Sequence, residues 1–515
     1  MEAMLGFWKE TMSNLRTPRK CRGGQIWSFG TYSEMGRISV ASDWKSMKNT
    51  RRNESFTQKI DKQKEEVAMM FHNVMEPLEL IDILQRLGVS YHFKDEIRRI
   101  LENKHNAHHR VDVYKKQSLY ATAVDFRLLR QHVYDVPQAL YETSFHLKQG
   151  ESILEEARDF VTKHLKEYVN ESKDQCLCMM VNHTLELPLY WKVTWLEARW
   201  FIYAYRSRED MNPTVLEFAY LDFNMVQAVH QEDLKELSRW WRSTGLGDLS
   251  FARDRVLKNF LWATEALFEP QFGYERRITA RLGILVTVID DVYDIYNTLK
   301  ELERWDVNAM EQLPYYLQIC FLSIYNTKLL TFSRKRDATS FDLCRSYMVE
   351  VNWFYNGYTP GLQEYFECGW ITLGISNILV HCYFLVTNPI TEEALELLKE
   401  YPNIIQLSTF IIRLADDLGT STISKTYYPN FFNQKYFGLD ELKRGDNPKS
   451  IQCYMKDTDA TEEDARHYMK SLISATWKTI NGQRFATSPF SKTLDHETKD
   501  NVQALFIHPI PIAKN

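Results

Sequence analysis

The stretch Asp290-Asp291-Val292-Tyr293-Asp294 closes an apolar run, Leu282-Gly283-Ile284-Leu285-Val286-Thr287-Val288-Ile289. A helix without a polar face belongs inside a large protein. Asp290 and Asp294 are four residues apart and share one helix face, with Asp291 about 100° away. Buried carboxylates at the negative end of a helix dipole are costly unless a cation offsets them. The pattern therefore predicts a divalent ion, Mg²⁺ above all, and a frayed, solvated helix end is the alternative.

A second apolar run, Ile404 to Leu414, ends in Asp416-Asp417. Arg413 lies three residues before Asp416 and Thr420 lies four after it, so both face the same side as Asp416. A hydroxyl and a carboxylate at this spacing can bind Mg²⁺, and an arginine beside them can bind an oxyanion through two N–H groups. Two such helices can hold metal ions from opposite walls of one cavity.

Two cationic side chains and one aromatic side chain complete the predicted site. Arg253 and Arg255 precede the first acidic cluster, and Trp262 follows them on the chain. Cations, carboxylates and metals together indicate a diphosphate ligand, which leaves readily once metal ions neutralise it. Its loss from an allylic carbon leaves a carbocation, which an aromatic face stabilises without attacking it. Taken alone, the arginines indicate a solvated charge pair and Trp262 a core residue; the combination favours an active site.

Length and composition predict a mostly helical protein of two or three domains. A chain of 515 residues exceeds one ordinary domain, and 44% hydrophobic residues with little Gly and Pro are typical of a mostly helical fold. Asn212-Pro213 predicts a helix start, because Asn caps a helix and Pro fits its first position. We therefore expect an N-terminal helical domain over 53–210 and a C-terminal catalytic, metal-binding domain over 211–515.

Other features of the sequence indicate which binding partners and which cellular compartment to expect. The net charge of −5 gives no case for nucleic-acid binding, no apolar run reaches membrane-spanning length, and we expect a monomer. The eight Cys are scattered and are typical of reduced thiols. Residues 1–52 are irregular, basic and rich in Ser and Thr, as a plastid transit segment would be, although their acids and Trp are atypical. We expect a plastid protein if this segment acts as a transit peptide and a cytoplasmic one otherwise.

These motifs resemble those of the plant class I terpene synthases. The stretch Asp290 to Asp294 is similar to their DDxxD motif, and Arg253-Asp254-Arg255 is similar to their RxR motif. The stretch Arg413 to Ser421 resembles the first half of their second metal motif, (N/D)DxxSxxxE. The resemblance covers nearly everything from about residue 56 and is strongest to the angiosperm branch rich in monoterpene synthases. Supporting stretches are Leu87-Gly-Val-Ser-Tyr-His, Tyr120-Ala-Thr-Ala, Glu269-Pro-Gln and Arg444-Gly-Asp-Asn-Pro-Lys.

The resemblance implies an all-α protein of two helical domains, of which the C-terminal one has the class I terpenoid synthase fold and holds three Mg²⁺ or Mn²⁺ ions. It also implies a carbon–oxygen lyase acting on phosphates. The implied reaction ionises geranyl diphosphate, or farnesyl diphosphate as the less favoured substrate, and converts the cation to a terpene. The implied metal ligands are Asp290, Asp294, Asp416 and Thr420. The implied diphosphate-binding residues are Arg253, Arg255 and Arg413, with Asp290, Asp294 and Asp416. The implied catalytic residues are Asp290, Asp294, Arg253 and Trp262.

The sequence also departs from the family pattern. The second metal motif requires Glu eight residues after Asp416, where this chain has Ser424. If the segment 423–439 is an insertion, Glu441 becomes the missing ligand. The family's RRx8W motif is unmatched, and the chain is short in four places, which follow Pro137, Glu303, Leu330 and Thr493. The alternative prediction is therefore a catalytically impaired or inactive paralogue, or a faulty gene model.

Two further functions are possible alternatives to a terpene synthase: one enzyme with a different reaction, and one protein without catalytic activity. A chain-elongating prenyl diphosphate synthase resembles a pattern with two DDxxD boxes, whereas this chain has one. A non-enzymatic helical scaffold would bind no diphosphate in the presence of Mg²⁺. The identity of the product depends on the contour of the pocket, which no motif specifies.

Overall fold

The computed structural model describes residues 54–73, 77–108, 124, 127–128, 144–186, 189, 192–293, 314–326, 338–386, 398, 401–420 and 448–483. Every regular element within these ranges is a helix, so the all-α prediction is confirmed. Several predicted features lie outside the described residues. They are the segment 1–52, Asp294, the segment 423–439, Glu441 and the four places where the chain is short, which follow Pro137, Glu303, Leu330 and Thr493.

The chain divides into two compact units. The first comprises Met1–Gln227 with Ala513–Asn515, and the second comprises Ala228–Ile512. The division falls inside one long helix, Pro213–Thr244, which begins where Asn212-Pro213 predicts. Asn212 Oδ1 accepts the backbone N–H groups of Thr214 and Val215 at 3.0 and 3.2 Å, as a helix cap does. The boundary predicted near 211 stays a prediction.

The first unit is built from amphipathic helices. Its helices are α1 (Glu54–Asn73), α2 (Pro77–Arg86), α3 (Lys94–His108), α4 (Ser152–Glu171), α5 (Gln175–Glu186), α6 (Thr194–Arg206) and the first half of α7 (Pro213–Thr244). Their apolar faces form one core that includes Ile81, Leu84 and Phe201. Within this core Asp222 accepts a hydrogen bond from the Tyr91 hydroxyl at 2.7 Å.

The second unit carries every described residue of the predicted site. Its helices after α7 are α8 (Val256–Ala266), α9 (Gly273–Asp291), α10 (Tyr315–Asn326), α11 (Ala338–Tyr355), α12 (Leu362–Thr372), α13 (Ile375–Val386), α14 (Asn403–Thr420), α15 (Ser450–Thr458) and α16 (Glu462–Gln483). Helix α9 packs against α8, α10 and α13, and α14 packs against α12, α13 and α16. The two helices with acidic ends therefore both lie inside this bundle.

Glycine permits the close packing of α9 at two positions. A Cβ on Gly283 would lie 2.3 Å from Asn259 Oδ1 of α8. Gly374, in the turn before α13, has φ +72°, and a Cβ there would lie 2.3 Å from Val286 Cγ1. Only glycine adopts that backbone conformation without strain, so α13 reaches α9 through this turn.

A buried ion pair fixes the start of α9. Arg276 is fully buried, and its Nε and Nη2 donate to Asp233 Oδ2 at 3.0 and 2.6 Å. Its Nη1 donates to the backbone carbonyls of Leu267 and Glu269. The turn between α8 and α9 is thereby bonded to α7, which sets the direction in which α9 delivers its acidic end.

Candidate active site

The acidic end of α9 lies in the protein interior. Leu282, Ile284, Leu285 and Val288 are buried, as the apolar run predicts. Asp291 is fully buried and the Asp290 side chain is 35% exposed, so a solvated, frayed end is excluded for Asp291. The helix continues as a π turn through Val292 and Tyr293, a feature often found at functional sites.

Arg253 binds both described carboxylates of this segment. Its Nη2 donates to Asp290 Oδ2 at 2.9 Å, and its backbone N–H donates to Asp291 Oδ2 at 2.9 Å. Its guanidinium Nε also contacts the Asp291 carboxylate. The structure thus brings together the first arginine of the RxR segment and the aspartate box, as predicted. Arg255 precedes α8, and its carbonyl accepts the backbone and side-chain amides of Asn259 at 2.9 and 3.1 Å.

Burial shifts the protonation of Asp291. Removal from water raises the pKa of this carboxyl to about 6, the Asp290 charge adds to the increase, and the Arg253 guanidinium opposes it. The group is therefore mostly ionised at neutral pH. Its contacts make it the residue that orients Arg253 beside Asp290, which is the more accessible carboxylate.

The acidic end of α14 is bonded to its neighbours through Asp417. The Asp417 carboxylate accepts the Tyr365 hydroxyl at 2.9 and 3.1 Å and the Ser450 backbone N–H at 3.2 Å. Arg413 Nη1 lies 3.5 Å from Asp417 Oδ1, and Arg413 Nε donates to the Gly369 carbonyl at 2.9 Å. The structure therefore places the predicted diphosphate-binding Arg413 against Asp417, while Asp416 is partly exposed.

Thr420 makes two short hydrogen bonds at the end of α14. Its hydroxyl donates to the Asp416 backbone carbonyl at 2.8 Å and accepts from Lys449 Nζ at 2.7 Å. Sequence reasoning missed Lys449 as a site residue, although the lysine belongs to a stretch that resembles the family. Nothing in the sequence signals the contact, because 28 residues separate Lys449 from Thr420.

Glu350 of α11 shares Thr372 with Arg413. Glu350 Oε1 accepts the Thr372 hydroxyl at 2.8 Å, and the oxygen of that hydroxyl accepts Arg413 Nη2 at 3.3 Å. Burial raises the pKa of Glu350, the charges of Asp290 and Asp417 raise it further, and Arg413 opposes them. Glu350 is therefore connected to the acidic end of α14 through Thr372 and Arg413. Sequence reasoning missed Glu350, which is an isolated acid in an ordinary helix pattern.

An apolar cavity opens among α8, α9 and α13. Its volume is about 30 Å³, and its wall includes Trp262, Ile375 and Leu379. Thr279 and Gly283 of α9 also line it. Gly283 lies seven residues before Asp290, which is two helical turns or about 10 Å along the same face. The predicted aromatic residue and the predicted carboxylate thus flank one side of α9.

The donor set suits magnesium. Asp290, Glu350, Asp416 and Thr420 offer oxygen atoms alone, which hard divalent ions prefer. Within the described ranges, no three His, Cys, Asp or Glu side chains are close enough together to hold a metal ion, and Asp294 and Glu441 lie outside those ranges. Mg²⁺ is often bound by one or two carboxylates with water and substrate phosphate, so the described residues fit this ion.

Buried acidic helix ends, cations bonded to them and an adjoining apolar cavity define a helical enzyme for substrates that are anionic at one end and apolar at the other. The family model described as "Terpene synthase family, metal binding domain" matches residues 242–430 and 434–479 of this chain. "Terpene synthase, N-terminal domain" matches residues 36–139. The chain belongs to the terpene synthase family and is a lyase of the class that acts on prenyl diphosphates.

The similar curated proteins are angiosperm monoterpene synthases, as the motifs predict. A chloroplastic myrcene synthase of Quercus ilex is 50% identical over 90% of this chain and 86% of its own length. A (−)-alpha-terpineol synthase of Vitis vinifera is 47% identical over 89% of this chain and 87% of its own length.

Solved structures confirm the class I terpenoid synthase fold. Isoprene synthase from grey poplar, in complex with three Mg²⁺ ions and dimethylallyl-S-thiolodiphosphate, has a TM-score of 0.78 at 36% identity and covers 90% of this chain and 93% of its own. A limonene synthase with 2-fluorolinalyl diphosphate has a TM-score of 0.79 at 34% identity, and the match covers 96% of this chain and 94% of its own. Among the described residues no helix combines the length and apolarity that a membrane crossing requires.

Proposed function

We propose that this protein ionises geranyl diphosphate in a Mg²⁺-dependent reaction and converts the allylic cation to a monoterpene. The observation that carries the proposal is that each acidic helix end has an arginine against it, with Arg253 bonded to Asp290 and Arg413 beside Asp417. The names of the similar proteins, myrcene and terpineol synthases, support a C10 substrate. Farnesyl diphosphate has the same ionising end and differs only in the length of its apolar tail.

The residues divide into two sets that act on the diphosphate. Asp290 with Asp294, and Asp416 with Thr420 and Glu441, would hold the metal ions, three by analogy with the isoprene synthase complex. When bound, these ions neutralise the diphosphate and make it a better leaving group. The cations that would bind its oxygens are Arg253, Arg255, Arg413 and Lys449.

The apolar wall of this cavity would contact the prenyl chain. Trp262 lies in its wall, where a ring face can stabilise positive charge on the substrate. Ile375 and Leu379 would exclude bulk water from the cation, which prevents early quenching. We further propose a monomer located in plastids, in keeping with the chloroplastic names of several relatives.

Product analysis tests the proposal. The purified protein is incubated with geranyl or farnesyl diphosphate and Mg²⁺, and hydrocarbon and alcohol products are measured by gas chromatography. We expect monoterpenes from geranyl diphosphate, none after chelation of the metal, and a loss of about 100-fold or more in Asp290→Ala, because a lost ligand costs at least as much as its supporting shell.

Asp95→Ala is the matched control for this experiment. Its carboxylate is 92% exposed on α3, which belongs to the first unit and carries none of the proposed site residues, so the substitution removes the same charge without touching them. We expect its turnover to equal that of the wild type. Unchanged turnover in Asp290→Ala would contradict the proposal. An inactive wild type that binds Mg²⁺ and pyrophosphate would favour the alternative of an impaired relative.

A further inference from the structure

The cavity among α8, α9 and α13 has the size of a water site. Its volume is about 30 Å³, which is room for a water molecule or two and too little for a prenyl chain. Most of its wall is apolar and comes from residues such as Ile375, Ile378 and Leu379. Four side chains of the wall can form hydrogen bonds, and they are Asn259, Trp262, Thr279 and Cys382.

Two of these four side chains satisfy each other. Thr279 Oγ1 and Cys382 Sγ lie 3.2 Å apart and share a hydrogen bond. The indole N–H of Trp262 is buried and has no hydrogen-bond partner within the part of the chain that the structure describes. A buried donor without a partner is costly, and a water molecule in a cavity with polar groups commonly satisfies it.

Asn259 supplies the acceptor that a water molecule at Trp262 needs. Its Nδ2 donates to the Arg255 carbonyl at 3.1 Å, which leaves the amide oxygen to face away from that carbonyl. The oxygen lies against α9, where a Cβ on Gly283 would be 2.3 Å from it, so only glycine leaves room for it there. Asn259 and Trp262 are three residues apart on α8 and are therefore neighbours on one face of the helix.

We propose that this cavity binds a water molecule that accepts a hydrogen bond from Trp262 Nε1 and donates one to Asn259 Oδ1, and that this water captures the carbocation to form a monoterpene alcohol. This inference rests on the proposed function. The two hydrogen bonds leave one lone pair of the water for the cation. Its oxygen forms the new C–O bond, and the protonated alcohol passes its extra proton along the hydrogen bond to Asn259 Oδ1 and on to the released diphosphate. A single held water differs from bulk water, which the apolar wall excludes.

The fraction of alcohols among all products tests this site. The protein is incubated with geranyl diphosphate and Mg²⁺ in water labelled with heavy oxygen, and the products are measured by gas chromatography with mass spectrometry. We expect labelled alcohols, whereas an alcohol released by cleavage of the P–O bond would keep the oxygen of the substrate. In Asn259→Leu, which keeps the size of the side chain but removes the amide, we expect the alcohol fraction to fall about fivefold, the factor that one hydrogen bond typically contributes. Trp262→Phe keeps an aromatic face but removes the N–H, and it should lower the alcohol fraction by a similar factor.

Asn352→Leu is the matched control. Asn352 of α11 is exposed, and its Nδ2 donates to the Met348 carbonyl at 2.9 Å, which is the same hydrogen bond to the preceding helical turn that Asn259 makes. Asn352 takes no part in the cavity wall, so we expect this variant to keep the wild-type alcohol fraction. Thermal unfolding verifies that each variant is folded.

A crystal structure of the wild-type protein tests the water site without turnover. We expect an ordered water within hydrogen-bond distance of both Trp262 Nε1 and Asn259 Oδ1, and a cavity without it would overturn the inference. Products without labelled alcohol would overturn it too, as would a wild-type alcohol fraction in either cavity variant. A protein that holds this water but converts no prenyl diphosphate contradicts the proposed function, and the capture step with it, while the water site stands. The two failures are thus distinguishable.

Discussion

The carboxyl group of Asp291 is buried against Arg253, and this burial has a consequence for stability. In an unfolded chain an aspartate titrates near pH 4, whereas burial raises the pKa of Asp291 to about 6 in the folded protein. The folded state therefore binds more protons than the unfolded state between these values. Stability from this group is fully present below about pH 4 and is lost as pH rises through about 6.

We expect Asp291→Asn to remove this pH dependence. The free energy of unfolding of the wild type should fall by about 3 kcal/mol relative to the variant between about pH 4 and about pH 7, because each pKa unit corresponds to about 1.4 kcal/mol. Urea unfolding in metal-free buffer measures the difference. The exposed Asp95→Asn serves as the control, and a constant difference between wild type and Asp291→Asn across this range would contradict the assignment.

At the scale of residues, the sequence predicts some of the site and misses the rest for a physical reason. Spacing and resemblance place Arg253 beside Asp290, and the structure shows that contact. Glu350 and Lys449 were not predicted from the sequence, because their contacts depend on which helices pack together and not on any local pattern. Asp417 looks like the equal of Asp416 in the sequence, yet its hydrogen bonds to Tyr365 and Ser450 show that it is a buried anchor.

At the scale of elements, the turn before α13 depends on Gly374. Alanine there would adopt a left-handed conformation at φ +72°, and its Cβ would lie 2.3 Å from Val286 Cγ1 of α9. We expect Gly374→Ala to lower the free energy of unfolding by about 2–4 kcal/mol, the sum of backbone strain and overpacking. Denaturant unfolding provides the measurement.

Gly482 supplies the control for this substitution. It lies in α16 with nothing within 4 Å of a Cβ, so Gly482→Ala should raise the free energy of unfolding by about 0.5–1 kcal/mol. Equal effects at the two glycines would show that the packing of α13 on α9 does not depend on the missing Cβ.

The ion pair between Arg276 and Asp233 at the start of α9 leads to a second prediction, about stability. Arg276→Met leaves the buried Asp233 with less compensation and two carbonyls without this donor, and we expect it to cost about 3–5 kcal/mol of stability. Arg277→Met removes a partner of Asp233 that is 22% exposed, and we expect a cost of about 1 kcal/mol or less. Denaturant unfolding of both variants tests the order, and a larger effect at Arg277 would contradict it.

Helix boundaries were predictable where a local signal exists. The start of α7 follows from Asn212-Pro213, and the buried body of α9 follows from its unbroken apolar run. The helical spacing of Arg413, Asp416 and Thr420 likewise predicts that α14 runs through both aspartates, as the structure shows. The contacts of Asp417 and Thr420 with residues of α12 and next to α15 follow from no local rule.

At the scale of the whole molecule, the family and the fold were predictable because the motifs are specific and the sequence patterns are helical. The comparisons confirm both. The division of the chain lies within α7, and a continuous helix gives no compositional sign of such a boundary. Catalytic competence also belongs to this scale, because it depends on the segment 423–439 that separates Thr420 from Glu441.

We expect removal of residues 423–439 to raise the turnover of geranyl diphosphate by about tenfold or more, because Glu441 then falls eight residues after Asp416 and completes the second metal motif. Steady-state kinetics at saturating Mg²⁺ compares the shortened chain with the full one. Glu441→Gln in the shortened chain should abolish the gain, whereas the same substitution in the full chain should change little. A full chain that is as active as the shortened one would contradict the insertion hypothesis, because the motif would then be complete without the eight-residue spacing.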